Sequence, residues 1–322
     1  MQFSEILKIA LTIFFAIVIA LILYILVISL VVNPYLEQGT WKLIANNFNN
    51  YQNESLTKNP KIYFIGNSQV MAAVDTNLVE ERLANQNRSY SVYNLGVNFD
   101  TPLQRSIELT GIIHSKPELV IYGDSYCSFS SRYRYVPDDN LALVSDKIHL
   151  DNYSRSLFDK EQIALIDQNQ FDQLLFKRKF IIPSLKQKMG IQIGGRDVVV
   201  NDTLTLEERE IIAQNPYDEF LAPVDAEDNV QKKAFIHIRD ELRKNNISFV
   251  YVHMPMDTLR VATIPNTTKA NYFSFLNSTG VQYFNLEESY PDEYFFDLVH
   301  LNKYGKQQYS SDMPELLIKE LK

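Results

Sequence analysis

Two short segments, far apart in the chain, carry the residue types of a nucleophile, a base and an orienting carboxylate. Ser68 lies in Gly66-Asn67-Ser68-Gln69, and both Asp297 and His300 lie in Asp297-Leu298-Val299-His300. A serine hydroxyl becomes an effective nucleophile when a neighbouring imidazole accepts its proton, and a carboxylate fixes the tautomer of that imidazole. The three residues therefore predict covalent acyl chemistry, provided that the fold brings them together.

Neither segment is specific on its own. A serine in a strand-to-helix turn is commonly structural, and an Asp-x-x-His spacing arises by chance in a chain with five histidines. The serine segment also differs from the Gly-x-Ser-x-Gly nucleophile elbow, because Val70 stands where that motif has its second glycine. The surrounding elements therefore decide whether the two segments form one site.

Short apolar runs alternate with helical stretches from residue 60 onward, and these elements position both segments. Strands are predicted at residues 62–65, 91–95, 119–122, 248–253 and 281–285, and helices at 77–84, 102–114, 229–243 and 303–309. Buried strands separated by helices favour a parallel sheet, and right-handed crossovers then give a three-layer α/β/α sandwich. In such sheets the site lies beyond the carboxyl ends of the strands.

Several polar or glycine-bearing positions fall at these predicted carboxyl ends. Asn67 and Ser68 follow the first strand, where Asn67 is a candidate for oxyanion or substrate binding. Gly96 ends the second strand with an unhindered backbone N–H. Ser125 follows the third strand, and His253 ends the fourth, where it is a candidate for substrate binding. A helix that begins at the serine would point its free N–H groups at the same place, where they could stabilise an oxyanion.

This set of blocks resembles the SGNH (GDSL-like) hydrolase superfamily, over about residues 61–309 and in the order that the family has them. Gly66-Asn67-Ser68 stands where the family has Gly-Asp-Ser, so the resemblance implies Ser68 as the nucleophile. It implies Asp297 and His300 as its partners and Gly96 as an oxyanion donor. A flavodoxin-like α/β/α fold and ester chemistry without a metal or other cofactor follow from the same resemblance.

The third block departs from the family pattern. The family has Gly-x-Asn, whose asparagine side chain completes the oxyanion hole, whereas this chain has Gly123-Asp124-Ser125. A serine hydroxyl can donate a hydrogen bond, but it is shorter than an amide, and the loss of one oxyanion donor costs about 2.7–4 kcal/mol of transition-state stabilisation. We therefore expect a slow hydrolase or one adapted to a reactive acyl donor. We expect the Asp124 carboxylate to point away from the hole.

The N-terminal region predicts a membrane anchor. Residues 9–32 carry no charge, and as a helix these 24 residues would span about 36 Å, more than the bilayer core of about 30 Å. This run is longer than the apolar region of a secretory signal peptide, and it lacks a small-residue cleavage pattern. It is therefore predicted to be an uncleaved signal anchor after a tail of residues 1–8. One span and a large C-terminal domain favour a single-pass protein whose domain lies outside the cytoplasm.

The remaining chain divides into a juxtamembrane connector, residues 33–59, and an SGNH-like catalytic domain, residues 60–322. Residues 125–225 interrupt the strand–helix rhythm and are predicted to be an insertion. Within it, residues 176–182 combine cations with large apolar groups. This segment is interpreted either as an element with one solvated face or as a contact with anionic lipid or a membrane partner.

Composition excludes several classes of function. The formal net charge of −8 argues against a nucleic-acid partner, which requires a basic surface. The single cysteine, Cys127, excludes an intrachain disulfide and a cysteine zinc site. No His, Asp or Glu cluster has metal-ligand spacing, so neither a metal nor a cofactor is expected.

The whole layout is similar to a membrane-anchored branch of the same superfamily, which includes D-alanine-transfer proteins and alginate-type O-acetyltransferases. The resemblance implies a serine O-acyltransferase or esterase that acts on acyl esters of cell-surface glycan, beside a membrane-bound O-acyltransferase. Two alternatives stay open. One is a non-catalytic accessory or glycan-binding subunit of such a system, and the other is a lysophospholipase-like lipid esterase.

Overall fold

The computed structural model describes residues 3–36, 39–52, 59–130, 136–188, 205–214 and 229–321. A single parallel sheet organises the domain, with strands β1 Lys61–Gly66, β2 Ser91–Gly96, β3 Leu119–Asp124, β4 Ser248–His253 and β5 Gln282–Asn285. Their order is β2-β1-β3-β4-β5, which is the flavodoxin-like order of doubly wound α/β folds.

Helices precede, connect and follow the strands. They are α1 Phe3–Val27, α2 Asn33–Leu36, α3 Thr40–Gln52, α4 Ser68–Ala73, α5 Thr76–Ala84, α6 Pro102–Ser106, α7 Leu109–Ser115, α8 Asp138–Leu143, α9 Asn152–Ser156, α10 Lys160–Ile166, α11 Gln170–Phe176, α12 Ile181–Lys188, α13 Leu206–Ala213, α14 Val230–Lys244, α15 Thr258–Thr263, α16 Asn266–Thr279 and α17 Lys303–Leu317. A π-helical turn, Ile28–Val32, joins α1 to α2 without a break.

Both faces of the sheet are covered, because successive strand side chains point to opposite sides. On β1, Ile62 and Phe64 pack in one apolar cluster with residues of α4, α5 and α17. Tyr63 and Ile65 pack in another cluster with residues of α3, α6, α7, α14 and α16. The predicted three-layer α/β/α sandwich is therefore confirmed.

The structure refines several predicted elements. The single helix predicted over residues 102–114 is two helices, α6 and α7, separated at Ile107 and Glu108. Between β3 and β4 the described residues form short helices, and α14 belongs to the sandwich because it packs against α6. The strands and the closing helix lie where the sequence predicts them, and α17 runs further, to Leu317.

Three glycines lie level with one another at the carboxyl ends of the three neighbouring strands. Gly66 of β1 pairs in register with Gly96 of β2 and with Gly123 of β3. Helix α4 lies directly on this row, since a Cβ at Gly96 would stand 2.7 Å from the Met71 backbone nitrogen. At Gly123 a Cβ would stand 2.5 Å from a methyl group of Val70. The row thus sets how closely the first turn of α4 approaches the sheet edge.

The N-terminal helical run, Glu5–Leu36, is 32 residues long and apolar enough to cross a bilayer. Its side chains are largely exposed, so it is not a core helix of the domain. A helix of this length and composition serves as a membrane anchor or as a signal sequence.

Helix α3 falls within the predicted juxtamembrane connector, and its apolar face is part of the domain core. Ile44 and Phe48 are buried in the larger apolar cluster. The Tyr51 hydroxyl donates a 2.6 Å hydrogen bond to Glu108. The Asn47 amide donates to the Leu95 carbonyl at 3.1 Å. The chain therefore enters the fold before the first strand begins.

We expect Gly66→Ala to destabilise the protein severely. Gly66 has φ +139°, and a Cβ there would lie 1.9 Å from the Gly123 carbonyl oxygen. Backbone strain and overpacking together predict a loss of about 3 kcal/mol or more of unfolding free energy. Urea unfolding of the full chain in detergent would measure it.

Gly280→Ala is the matched control. Gly280 also has a positive φ, +64°, but nothing lies within 4 Å of a Cβ there. Only the left-handed backbone penalty of about 1 kcal/mol is expected. Equal losses for the two variants would contradict a steric role for the glycine row.

Candidate active site

Ser68 is presented by a sharp strand-to-helix turn at the carboxyl end of β1. Asn67 is the N-cap of α4, and its Oδ1 accepts a 2.8 Å hydrogen bond from the backbone N–H of Gln69. This capping side chain satisfies one of the free donors of the first turn. Ser68 is therefore the first residue of the helix, where its own N–H has no partner within the helix.

The Asp-x-x-His segment forms a tight hairpin. Phe295 and Leu301 form an antiparallel bridge at its base, and the Phe296 N–H donates to the His300 carbonyl at 3.1 Å. Within the turn, Asp297 Oδ1 accepts hydrogen bonds from the backbone N–H groups of Val299 (2.8 Å) and His300 (2.7 Å). This backbone geometry presents the Asp297 carboxylate and the His300 ring side by side.

The structure brings the three predicted residues into one hydrogen-bonded chain. His300 Nε2 lies 2.7 Å from Ser68 Oγ, and His300 Nδ1 lies 2.7 Å from Asp297 Oδ2. The ring of Phe296 stacks on the imidazole with 5.4 Å between centroids. Because an ionised carboxylate only accepts, Nδ1 carries the proton and Nε2 is left to accept the serine proton.

The hairpin keeps Asp297 ionised. Burial alone would raise the pKa of its carboxyl, but the His300 ring and the two backbone donors outweigh that effect and lower the pKa below its ordinary value. Three donors to the charged form are a known cause of such a shift. Asp297 therefore stays an acceptor for the imidazole at neutral pH.

Contacts outside the hairpin hold it against the serine turn. The buried Gln69 side chain donates to the Val299 carbonyl at 3.1 Å, so it ties the helix that starts at the serine to the histidine loop. The backbone N–H of Asp257 donates to the Leu298 carbonyl at 3.1 Å. Arg209 of α13 forms ion pairs of 2.7 Å with Asp257 and with Asp292. Asp292 lies three residues before the hairpin in the chain.

Asp124 occupies the interior directly behind the serine turn. Its Oδ1 accepts a 2.6 Å hydrogen bond from the Asn67 side-chain amide and another from the Ser125 N–H at 2.6 Å. Its Oδ2 has no hydrogen-bond partner among the described residues. Burial raises the pKa of the carboxyl well above its usual range, and the donors from Ser125 and Cys127 offset this only in part.

The other predicted oxyanion donors have partners in this structure. The Gly96 N–H donates to the side-chain oxygen of Asn94 at 3.1 Å, while the Asn94 amide reaches the Val70 carbonyl of α4. Ser125 is fully buried, and its hydroxyl faces the Cys127 sulfur at 3.7 Å. Among the predicted donors, the backbone N–H of Ser68 is therefore the one that the first turn of α4 leaves unpaired within the helix.

His253 is fully buried, and its contacts are with a separate cluster. Its Nδ1 lies 2.8 Å from the Tyr272 hydroxyl, and its Nε2 lies 3.9 Å from Glu287. Burial lowers the pKa of its imidazole. This environment is that of a structural histidine packed among aromatic rings, and it leaves His253 no exposed surface for substrate.

Two residues that follow the carboxyl ends of β1 and β2 escape sequence reasoning. Gln69 is a polar residue in a helical first turn, and only its burial and its bond to the Val299 carbonyl reveal its role. Phe99 has a left-handed backbone, φ +56°, and is 69% exposed just beyond β2. A non-glycine residue held there is strained, and such strain is found at functional sites.

No group of three or more His, Cys, Asp or Glu residues that could hold a metal ion occurs in the part of the chain that the structure describes. The hydrogen-bonded chain at the site consists of a serine, an imidazole and a carboxylate.

Comparisons with known proteins find similarity among solved structures. No family model matches the chain, and the curated proteins give no match. Among solved structures, it is similar to a GDSL-like lipase from Bacteroides thetaiotaomicron, with 10% identity, a TM-score of 0.39, and coverage of 85% of this chain and 100% of that chain. It is also similar to an alpha/beta hydrolase enzyme from the metagenome of Lake Arreo, Spain, with 11% identity, a TM-score of 0.38, and coverage of 81% and 94%.

Asp124→Asn should remove a pH-dependent cost to stability. The folded state keeps the Asp124 proton to a higher pH than the unfolded chain, whose carboxyl releases it near pH 4, so stability falls as pH rises above about 4. One such proton changes the unfolding free energy by at most about 1.4 kcal/mol per pH unit. An asparagine oxygen can accept the same two hydrogen bonds and does not titrate.

Urea midpoints of parent and variant between acid and neutral pH would measure this difference. Ser278→Ala, which removes an exposed hydroxyl on α16 and no titratable group, should retain the slope of the parent. Parallel profiles for the parent and Asp124→Asn would show that the carboxyl does not take up a proton on folding.

Proposed function

We propose that the protein is a membrane-anchored serine esterase or O-acyltransferase of the SGNH type, acting on acyl esters of cell-surface glycan. The observation that supports this is the continuous hydrogen-bonded chain from Ser68 Oγ through His300 to Asp297, with both links 2.7 Å long. Nucleophile, base and orienting group are thus within the range that general-base activation requires.

The proposed reaction has two half-reactions. Ser68 Oγ attacks the acyl carbonyl carbon while His300 Nε2 accepts the hydroxyl proton. Collapse of the tetrahedral adduct breaks the ester bond, and the imidazolium gives that proton to the leaving alkoxide. Water or a sugar hydroxyl then gives its proton to the same imidazole and attacks the carbonyl carbon of the acyl-serine. Collapse of this second adduct breaks the bond from the acyl group to Ser68 Oγ, and the imidazolium returns its proton to that oxygen. Asp297 stabilises the imidazolium in both halves.

The oxyanion hole is the weakest part of the proposed site. The Ser68 N–H is the donor that the turn makes available, whereas the Gly96 N–H and the Ser125 hydroxyl face other groups. A missing donor costs about 2.7–4 kcal/mol at the transition state. We therefore infer that the enzyme takes a reactive acyl donor or turns over slowly.

The setting of the site follows from the apolar N-terminal helix. We infer that this helix anchors the protein in a membrane, with the domain outside the cytoplasm, and that a membrane-bound O-acyltransferase supplies or receives the acyl group. The Gly96 N–H already donates to the Asn94 side chain. This pairing also supports one alternative, a non-catalytic accessory or glycan-binding subunit. Dependence of turnover on Ser68 distinguishes the two.

Ser68→Ala should abolish covalent labelling by a fluorophosphonate probe, because only an activated serine attacks the phosphorus centre. Ser278→Ala, which removes an exposed hydroxyl on α16, should label like the parent. The readout is in-gel fluorescence of the full chain in detergent. Equal labelling of Ser68→Ala and the parent would refute the proposed nucleophile, and an unlabelled parent would favour the accessory subunit.

Asp297→Asn should lower kcat by about 10³–10⁴-fold on a reactive acyl ester such as p-nitrophenyl acetate. An amide in place of the carboxylate favours the wrong imidazole tautomer while preserving shape. Asp159→Asn, at the exposed cap of α10, is the control and should keep the parent rate. A rate within a few-fold of the parent for Asp297→Asn would rule out this role for the carboxylate.

A further inference from the structure

A continuous helical segment, residues 170–188, packs against the end of the N-terminal helix that leads into the domain. It consists of α11, a 3₁₀ turn at Lys177–Phe180, and α12, and it is called the collar. Ile28, Val32 and Leu36 of the N-terminal run are buried in one cluster with collar side chains. Those side chains are Leu174, Phe176, Phe180 and Ile181.

Polar contacts fix the height of the collar along the N-terminal helix. The Tyr24 hydroxyl donates to the Leu174 carbonyl at 2.8 Å, and Lys177 Nζ donates to Asn33 at 3.2 Å. At 1.5 Å per residue, a bilayer core of about 30 Å that begins after Lys8 ends near residue 28. The contacts at residues 24 and 33 bracket that level, so the collar lies where hydrocarbon meets headgroups.

The side of the collar that faces away from the cluster exposes large apolar groups. Phe171 is 60% exposed, Leu175 38%, Ile182 66% and Leu185 43%. They recur three, four or seven residues apart, which places them along one side of a helical run. Along the same stretch of the N-terminal helix that contacts the collar, Ile25 and Leu30 are also 43% and 64% exposed.

The charge of the collar is opposite to that of the whole chain. It carries five basic residues, Lys177, Arg178, Lys179, Lys186 and Lys188, and one acidic residue, Asp172, in a protein of net charge −8. Lys179 pairs with Asp139, and Lys188 donates to the Leu30 carbonyl. Arg178 and Lys186 are exposed. A helix with an apolar stripe and flanking cations has the composition of elements that lie in an anionic membrane interface.

We propose that the collar is a second membrane-contacting element, which lies in the plane of an anionic bilayer surface beside the spanning helix. Its apolar stripe inserts at the level of the acyl-chain boundary, and Arg178 and Lys186 bind lipid phosphates. This inference depends on the membrane anchoring proposed above and is independent of the catalytic chemistry.

The test is tryptophan quenching in reconstituted full-length protein. The single native tryptophan, Trp41, is first replaced by phenylalanine, and tryptophan is then placed at Phe171 or at Leu185. The vesicles contain equal parts of phosphatidylcholine and phosphatidylglycerol. Two preparations are compared, one in which the phosphatidylcholine carries dibrominated acyl chains and one in which the phosphatidylglycerol does. Both tryptophans should lose fluorescence, and more of it when the anionic lipid is brominated. Arg178→Gln with Lys186→Gln should abolish that difference.

Two control positions make each outcome decisive. Phe14→Trp, on the exposed surface of α1, should be quenched, and Tyr153→Trp, an exposed aromatic on α9, should not. If Phe14→Trp is quenched but the collar positions behave like Tyr153→Trp, the collar does not touch lipid and the proposal fails. If Phe14→Trp is also unquenched, membrane anchoring fails with it, while fluorophosphonate labelling of Ser68 still reports on the catalytic proposal separately. Equal quenching by the two brominated lipids would overturn the role of the cations.

Discussion

The row of glycines at the carboxyl edge of the sheet is the constraint on which the site depends. Gly96, Gly66 and Gly123 lie side by side across three strands, and α4 rests on them. Any side chain there would lift the first turn of α4, and Ser68 with it. Because the hydrogen bond to His300 tolerates a change of only a few tenths of an ångström, the absence of side chains at these three glycines keeps Ser68 within reach of His300.

Much of this arrangement is predictable from sequence, because strand ends follow from the apolar runs and parallel strands bring their carboxyl ends to one edge. The β1 turn and the Asp-x-x-His hairpin therefore meet as their positions suggest. The sequence does not indicate which hydrogen-bond partner each backbone or side-chain donor has in the folded protein. Asn94 takes the Gly96 N–H, Cys127 lies against Ser125, and Gln69 reaches a carbonyl 230 residues away. Such pairings depend on side-chain direction in the folded interior.

The polar groups behind Ser68 position the serine turn, and they do so at the electrostatic cost of burying the Asp124 carboxyl. Asn67 both caps α4 and donates to Asp124, so the turn is anchored to the neighbouring strand. The buried carboxyl that receives this bond has one oxygen without a partner among the described residues. Burial raises the pKa of this carboxyl, and a protonated Asp124 would add no negative charge beside the charge that develops near Ser68 in the proposed reaction.

The buried face of helix α3 links the stretch that follows the apolar N-terminal helix to the integrity of the fold. Ile44 and Phe48 fill the core, and Tyr51 supplies a hydroxyl to Glu108 deep inside it. A protease that cut between this helix and the first strand would therefore release a damaged domain rather than a working soluble form. Under the proposed membrane anchoring, proteolytic release of the domain at this point would therefore inactivate it.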